Sequence, residues 1–371
     1  MIKSYDYIIV GGGLIGFSIG YGLSKLGRKC LILDTHDNSV RAARGNFGLI
    51  WVQGKGAGFP SYADWTLRSS ELWTDFCTEL EDDSKINLGI QRTGGVHICL
   101  NEEEYNDRKN ELDLLRSHQN GKFEYQMLDN KDLSQLIPGL GSEVIGGSFS
   151  THDGHVNPLY LMKSLHSGFL KNNGKFIHDE EVWDIESSGK GFSIKTKKER
   201  YSSSKVILAA GLGNKNLAPM VGLEQPVKPI KGEILITQKL DKHLKYPSTL
   251  LRQTQEGSIM IGDSHEDIGE DISTNPMVIS KIAKRAIKTF PEIENKQIVR
   301  SWAALRVMSP DGYPIYDQSE TQPGAFAISC HSGVTLAAAH AKDLSGYIDD
   351  GRIGNELIPF SESRFDVPKV K

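Results

Sequence analysis

A short apolar run, Tyr7–Val10, stops at Gly11-Gly12-Gly13-Leu14-Ile15-Gly16, and a helical pattern runs on from Leu14 to Leu26 with Gly27 as its stop. Lys29 to Leu33 then reads as a second buried strand, ending at Asp34. Strand, glycine turn, helix and strand in this order make a βαβ unit. Each glycine of GxGxxG has a physical task there. Gly11 allows the tight turn, Gly13 lets backbone approach a pyrophosphate, and Gly16 lets the helix pack closely on the sheet. The helix start, with Leu14 and Ile15, presents free N–H groups to phosphate charge. Asp34, with Thr35 beside it, stands where a carboxylate accepts hydrogen bonds from ribose hydroxyls. The pattern predicts a dinucleotide and leaves FAD or NAD open.

The 371 residues exceed what one hydrophobic core usually serves, so two domains are expected. A net charge of −4 offers no basic excess of the kind nucleic-acid binding requires, so no nucleic-acid partner is expected. Cys30, Cys77, Cys99 and Cys330 are scattered rather than spaced as CxxC. That argues against a metal or iron–sulfur site carried by this chain and for a reduced, cytoplasmic protein. The apolar stretch Tyr7–Leu26 is broken by glycines and holds Lys25, which excludes a signal peptide, and no stretch reaches the length of a membrane span.

Helices are expected at Glu71–Leu80, Glu102–Arg116, Ser280–Thr289 and Val334–Asp349. Strands are expected at Val144–Ser150, Lys175–Ile177, Val182–Ser187, Phe192–Thr196, Lys205–Ala210 and Ala325–Ser329. Pro226–Thr237 and Thr249–Ile261 read as strands of a different sheet.

Two further segments carry chemistry. Val206-Ile207-Leu208-Ala209-Ala210-Gly211-Leu212-Gly213 is an apolar strand ending in small residues, able to lie against a dinucleotide far from the first motif. The other comprises Trp302-Ala303-Ala304-Leu305-Arg306, then Pro310-Asp311-Gly312-Tyr313-Pro314-Ile315, then Cys330-His331-Ser332-Gly333-Val334-Thr335 opening a final helix. With these in place the chain resembles the D-amino-acid oxidase superfamily, in the branch of glycine oxidase and sarcosine oxidase, over nearly its whole length. Within that branch three stretches resemble the flavin subunits of D-hydroxyproline dehydrogenase, opine oxidase and hydrogen cyanide synthase, the first most of all. They are Asn46–Gly56, Asp153–Pro158 and Leu305–Gly312.

The resemblance implies non-covalently bound FAD. Gly11, Gly13 and Gly16 would hold its pyrophosphate and Asp34 its ribose. Val182 would give a backbone contact to the adenine, and Ala210 and Gly211 would line the adenosine end. Arg44, Asn46, Gly48 and Leu49 fall in the loop that reaches under the flavin. Ala43 stands near where the family carries Ser or Thr, so that hydroxyl contact is not carried over. Ser332, Gly333, Val334, Thr335 and Leu336 would bring N–H groups to the flavin pyrimidine edge, where a helix start favours the negative charge of reduction. Arg306 stands where the family holds the substrate carboxylate, a task suited to a planar guanidinium. Arg252 is a candidate to face the flavin from the substrate sheet, and Gln53 and Lys55 are candidates for the pocket. His331 and His155 read as braces, His155 capping a turn before Asn157-Pro158.

The expected fold is an α/β FAD-binding, Rossmann-like domain (1–88, 148–222 and 318–371) interleaved with an α+β substrate domain (89–147 and 223–317) carrying a large mixed or antiparallel sheet. The expected reaction is hydride transfer from the C–N bond of a small amino acid with its amine neutral, D-hydroxyproline or D-proline standing first and opines, glycine, sarcosine or cyanide formation from glycine as alternatives. Orientation and electrostatics suffice for such chemistry, and the sequence holds neither GxSxG nor HExxH. Electrons would leave to oxygen, to an iron–sulfur or second flavin subunit, or to another acceptor, and the oligomeric state stays open. The rivals are an NAD-dependent dehydrogenase, against which the Ala209-Ala210-Gly211 and Gly333 segments speak, and a non-catalytic electron-transfer flavin subunit.

Overall fold

The computed structural model describes residues 3–35, 41–189 and 191–366. Its largest sheet runs Lys175–Ile177, Cys30–Leu33, Lys3–Val10, Arg200–Leu208, Ala325–Ser329, Ile315–Gln318. Neighbours pair in parallel up to Ala325–Ser329, and Ile315–Gln318 joins antiparallel. Val182–Ser188 and Gly191–Thr196 fold antiparallel onto the first half of Arg200–Leu208. The parallel strands read as unbroken apolar runs because both faces are covered. One face packs Ile9, Ile32 and Ile207 against Phe17, Trp73, Phe169 and Leu336; the other packs Ile8, Leu31 and Val206 against Leu217 and Val221.

A second, antiparallel sheet runs Leu251–Gln253, Ser258–Ile261, Lys228–Lys239, Ile298–Met308. A third joins Gly95–Cys99, Gly146–Ser150 and Gln126–Asp129. Apart from Gly146–Ser150, which straddles position 148, these strands lie within the segments proposed for the substrate domain. Ile315–Gln318 belongs to the first sheet instead, so the proposed boundary near 317 cuts through a strand.

Several elements differ from the sequence reading. The helix expected at Glu71–Leu80 begins at Pro60, which sits in the first turn where a missing N–H costs nothing, and extends to Ser84. Thr249–Ile261 resolves into two strands around a turn at Gly257, whose φ of +101° is glycine territory. The helix expected from Val334 is regular only from Ala337 onward, with turns before it and a widened π segment at His340–Leu344. Pro158–Lys171, capped by the Asn157 side chain on the N–H groups of Leu159 and Tyr160, was not anticipated as a helix. Ile298–Met308, which carries Arg306, was not anticipated as a strand.

Candidate active site

The glycine turn supports a phosphate cradle. A Cβ on Gly11 would collide with the Ala209 carbonyl and the Ala210 Cα, and one on Gly16 would overlap the Gly11 carbonyl oxygen. Those two positions admit only glycine because backbone meets backbone. A Cβ on Gly13 would meet no atom within 4 Å, so open space lies in front of it, at the start of the 12-residue helix Leu14–Lys25. That helix start has no side-chain cap, which leaves its first N–H groups for an anion. These features fit the pyrophosphate of FAD.

Asp34 ends its strand beside this turn. Its Oδ1 accepts from the Thr35 N–H at 2.8 Å and from Arg41 at 2.7 Å, and its Oδ2 lies 2.9 Å from where a Gly12 Cβ would stand. Val182 begins a strand nearby: the Asp34 carbonyl accepts from the Glu180 N–H at 2.9 Å. The second segment meets the first directly, since Val10 pairs with Leu208 and Ala209 N–H donates to the Val10 carbonyl. Buried Asn214 fixes its end. It accepts from Ala210 N–H at 2.9 Å and donates to the carbonyls of Leu208 and Ile328, joining the ends of two neighbouring strands. Gly211 follows with φ +60°. Asn214 was missed in the sequence, where nothing marks it apart from other helix-start asparagines.

The C-terminal turn comes to the same helix start: the position of a Gly333 Cβ is 3.5 Å from Leu14 Cβ. Thr335 binds this turn to the loop carrying Asn46, Gly48 and Leu49. Its hydroxyl accepts from Trp51 N–H at 3.1 Å and reaches the Leu49 carbonyl at 3.3 Å, while its carbonyl accepts from Trp73 and Ser69. Val334 and Leu336 are core residues. In the loop, the Asn46 side chain accepts from Gly48 N–H at 2.7 Å and Gly48 holds φ +90°. Arg44 is exposed one turn earlier.

Arg252 is buried beneath this loop. Its guanidinium donates to the Phe47 carbonyl, lies 3.5 Å from His155 Nδ1 and reaches the Met260 sulfur; among the described residues no carboxylate pairs with it. Burial lowers its pKa to about 10. It braces the loop from the second sheet. His155 is also a brace, though not as a turn cap: it sits in a short strand paired with Leu49, and Asn157 does the capping. Gln53, a pocket candidate by sequence, is wholly buried in the frame. Its amide nitrogen donates to Asp153 and the Gly95 carbonyl, and its oxygen accepts from Arg108 and Ser148. Both ends are engaged because a buried amide left open would be costly.

Arg306 lies near the end of its strand, paired with Ile230. Its guanidinium lies over Gly232, where a Cβ would come within 2.6 Å of Cζ. It donates to the Ser264 carbonyl at 2.8 Å and the Lys231 carbonyl at 3.3 Å, and forms an ion pair with Asp263. His265 stands 3.7 Å from the other Asp263 oxygen, at a more exposed position. Asp263 and His265 carried no sequence signal, because they reach Arg306 from the segment after Ser258–Ile261, a strand that Lys228–Lys239 separates from its own.

Within electrostatic reach of this group is Lys55. Its Nζ lies 3.1 Å from Ser332 Oγ and 3.3 Å from His331 Nε2, and Tyr62 OH is 2.6 Å from the same serine oxygen. The Arg306 and Asp263 charges both act on Lys55. The structure therefore brings Lys55 into contact with Ser332 and within electrostatic reach of Arg306, and binds Gln53 and Arg252 into the frame.

The family comparison decides what the cradle serves. Residues 6–346 match the model of the FAD dependent oxidoreductase family. The chain belongs to that family. It is 41% identical over 367 residues to an opine oxidase subunit of Rhizobium meliloti, with 99% of each chain covered. It is 26% identical to a hydrogen cyanide synthase subunit of Pseudomonas protegens over 100% of this chain and 99% of that one. The crystal structure of glycine oxidase from Geobacillus kaustophilus shares its fold, with a TM-score of 0.88 at 23% identity over 97% of this chain and 98% of that chain. This FAD-dependent oxidoreductase has, among the described residues, no helix long and apolar enough to cross a membrane.

Proposed function

We propose that this enzyme oxidises the carbon–nitrogen bond of a small amino acid whose carboxylate rests on Arg306. The observation that carries the reading is the Arg306 guanidinium, set against side-chain-free Gly232 and steered by two backbone carbonyls. A guanidinium so oriented offers a planar fork to a carboxylate. FAD, held by Gly11, Gly13, Gly16 and Asp34, supplies the hydride acceptor. Asp263 shares Arg306, so a substrate anion meets a nearly neutral pair rather than a bare cation. A zwitterionic substrate suits that pair better than a simple anion.

The sequence stretches pointed first to D-hydroxyproline. The 41% identity to the opine oxidase chain along the whole length favours an opine, an amino acid whose nitrogen carries a carboxyalkyl group, as the substrate. Glycine, sarcosine and D-proline are the other members of the class to be tried. Two relatives are named as subunits, which favours a partner protein over oxygen as electron acceptor. The test is anaerobic mixing of the holoenzyme with octopine, cis-4-hydroxy-D-proline, D-proline, glycine and sarcosine while the flavin absorbance is followed. Bleaching by octopine alone is expected. Slow reoxidation on readmitting air marks a dehydrogenase. A flavin left oxidised by every compound refutes the reading.

A further inference from the structure

We propose that Lys55 is the base that takes the proton from the substrate ammonium before oxidation. The inference rests on the amine-oxidising reading above and adds to it the group that makes the amine reactive. A protonated amine has no lone pair to release as its carbon is oxidised, so the proton must leave first.

The geometry around Nζ suits the task. Among the described residues Lys55 pairs with no carboxylate; its polar neighbours are Ser332 Oγ and His331 Nε2. Ser332 Oγ accepts from it, and His331 Nε2 accepts from it in the tautomer that carries the ring proton on Nδ1. The Gly312 backbone also lies beside the His331 ring. Ser332 Oγ lies 3.3 Å from the same Nε2 and 2.6 Å from Tyr62 OH, so its position is fixed. A neutral lysine amine has two N–H bonds and one lone pair. The two N–H bonds serve Ser332 and His331, and the lone pair takes the remaining tetrahedral direction. Protonation fills that direction without disturbing either contact. In the step, the lone pair of Nζ forms a new N–H bond, the substrate N–H bond breaks, and its electron pair stays on the substrate nitrogen as a neutral amine.

Lys55 changes charge at a pH between those of the groups around it. Burial, with the Arg306 charge beyond it, brings its pKa down to about 8. His331 is held neutral by burial, Tyr62 is pushed above the usual phenol range, and the Cys330 thiol is pushed up to about 12. His265 is lowered, buried Asp153 sits at about 6, and Asp263 is paired with Arg306. Arg306 and Lys55 would thus supply a carboxylate anchor and a proton acceptor within electrostatic reach of each other.

The test uses the holoenzyme and its Lys55→Met and Lys55→Arg variants, each checked for bound FAD by its visible spectrum. In the wild type the limiting anaerobic rate of flavin reduction rises with pH through an ionisation near 8. Both variants are expected to lose about 100-fold at pH 7, with the rise displaced toward that of a free aliphatic amine, about 10. Lys55→Arg keeps the charge but has no usable lone pair, so its failure separates proton transfer from charge. Independently of turnover, labelling of the wild type with acetic anhydride, read at Lys55 by mass spectrometry, should show a midpoint near 8. A midpoint near 10, or variants that keep the wild-type rate and pH profile, would overturn the proposal. A wild type reduced by no amine would instead remove the reading on which it rests.

Discussion

Replacing Gly232 by Ala tests the Arg306 site without touching a charged residue. Gly232 lies in a regular antiparallel ladder opposite Ala304, and its backbone does not require glycine. An added Cβ would stand 2.6 Å from Arg306 Cζ and closer still to both terminal nitrogens. The obstacle is the end of a flexible side chain, so the guanidinium lifts rather than the strand moving. Stability should change by less than about 1 kcal/mol, since alanine also lowers the entropy of the unfolded chain. The lifted guanidinium loses its steering by the Lys231 and Ser264 carbonyls and offers one bond to a carboxylate where two were available. A hydrogen bond to a charged group contributes about 1.5–3 kcal/mol, equivalent to a roughly 10- to 150-fold weaker Kd. The assay is titration with pyrrole-2-carboxylate, which has the carboxylate and no oxidisable C–N bond, followed through the flavin spectrum. Apparent substrate affinity should fall in parallel, with the reduction rate at saturation changed far less. An unchanged Kd together with an intact fold would refute the assignment of the carboxylate to Arg306.

Gly16→Val should give protein without flavin colour, because the new side chain would drive the helix away from the Gly11 carbonyl; visible absorbance after purification checks it. Asn214→Leu leaves the Ala210 N–H and the carbonyls of Leu208 and Ile328 without their partner and should cost about 2–4 kcal/mol in urea unfolding. Asp153 is wholly buried and its carboxyl is raised from 3.8 to about 6, so it favours folding most when protonated. Its contribution is full below about pH 4 and is lost as pH rises through 6, on the order of 3 kcal/mol. Asp153→Asn should remove that dependence, so thermal melts of variant and wild type should diverge between pH 4 and 6, in the variant's favour as pH rises.

The sequence made the nucleotide half of this protein legible because that half is built from short-range rules. A glycine turn between an apolar strand and a buried helix has few physical solutions, and Gly11, Gly13 and Gly16 each leave a mark in the sequence. Arg306 and the Gly333 turn were legible only through family resemblance. Gln53 shows the limit. It lies two residues from Lys55, yet the chain turns between them, at Gly54 with φ +79°, and sends one side chain into the frame and the other into the pocket. Nothing in the spacing of a loop states which way each residue points.

Local pattern alone therefore determined the βαβ opening, the buried parallel strands and the phosphate cradle, since these depend on backbone sterics and on neighbours close in the chain. Tertiary structure alone decided the pocket. Lys55 meets Ser332 and Arg306 meets Asp263 across 277 and 43 residues of chain, and such pairs arise only when separate strands, loops and a helix start converge. The free energy that holds them together is that of the packed sheets and helices behind them, which no single segment encodes.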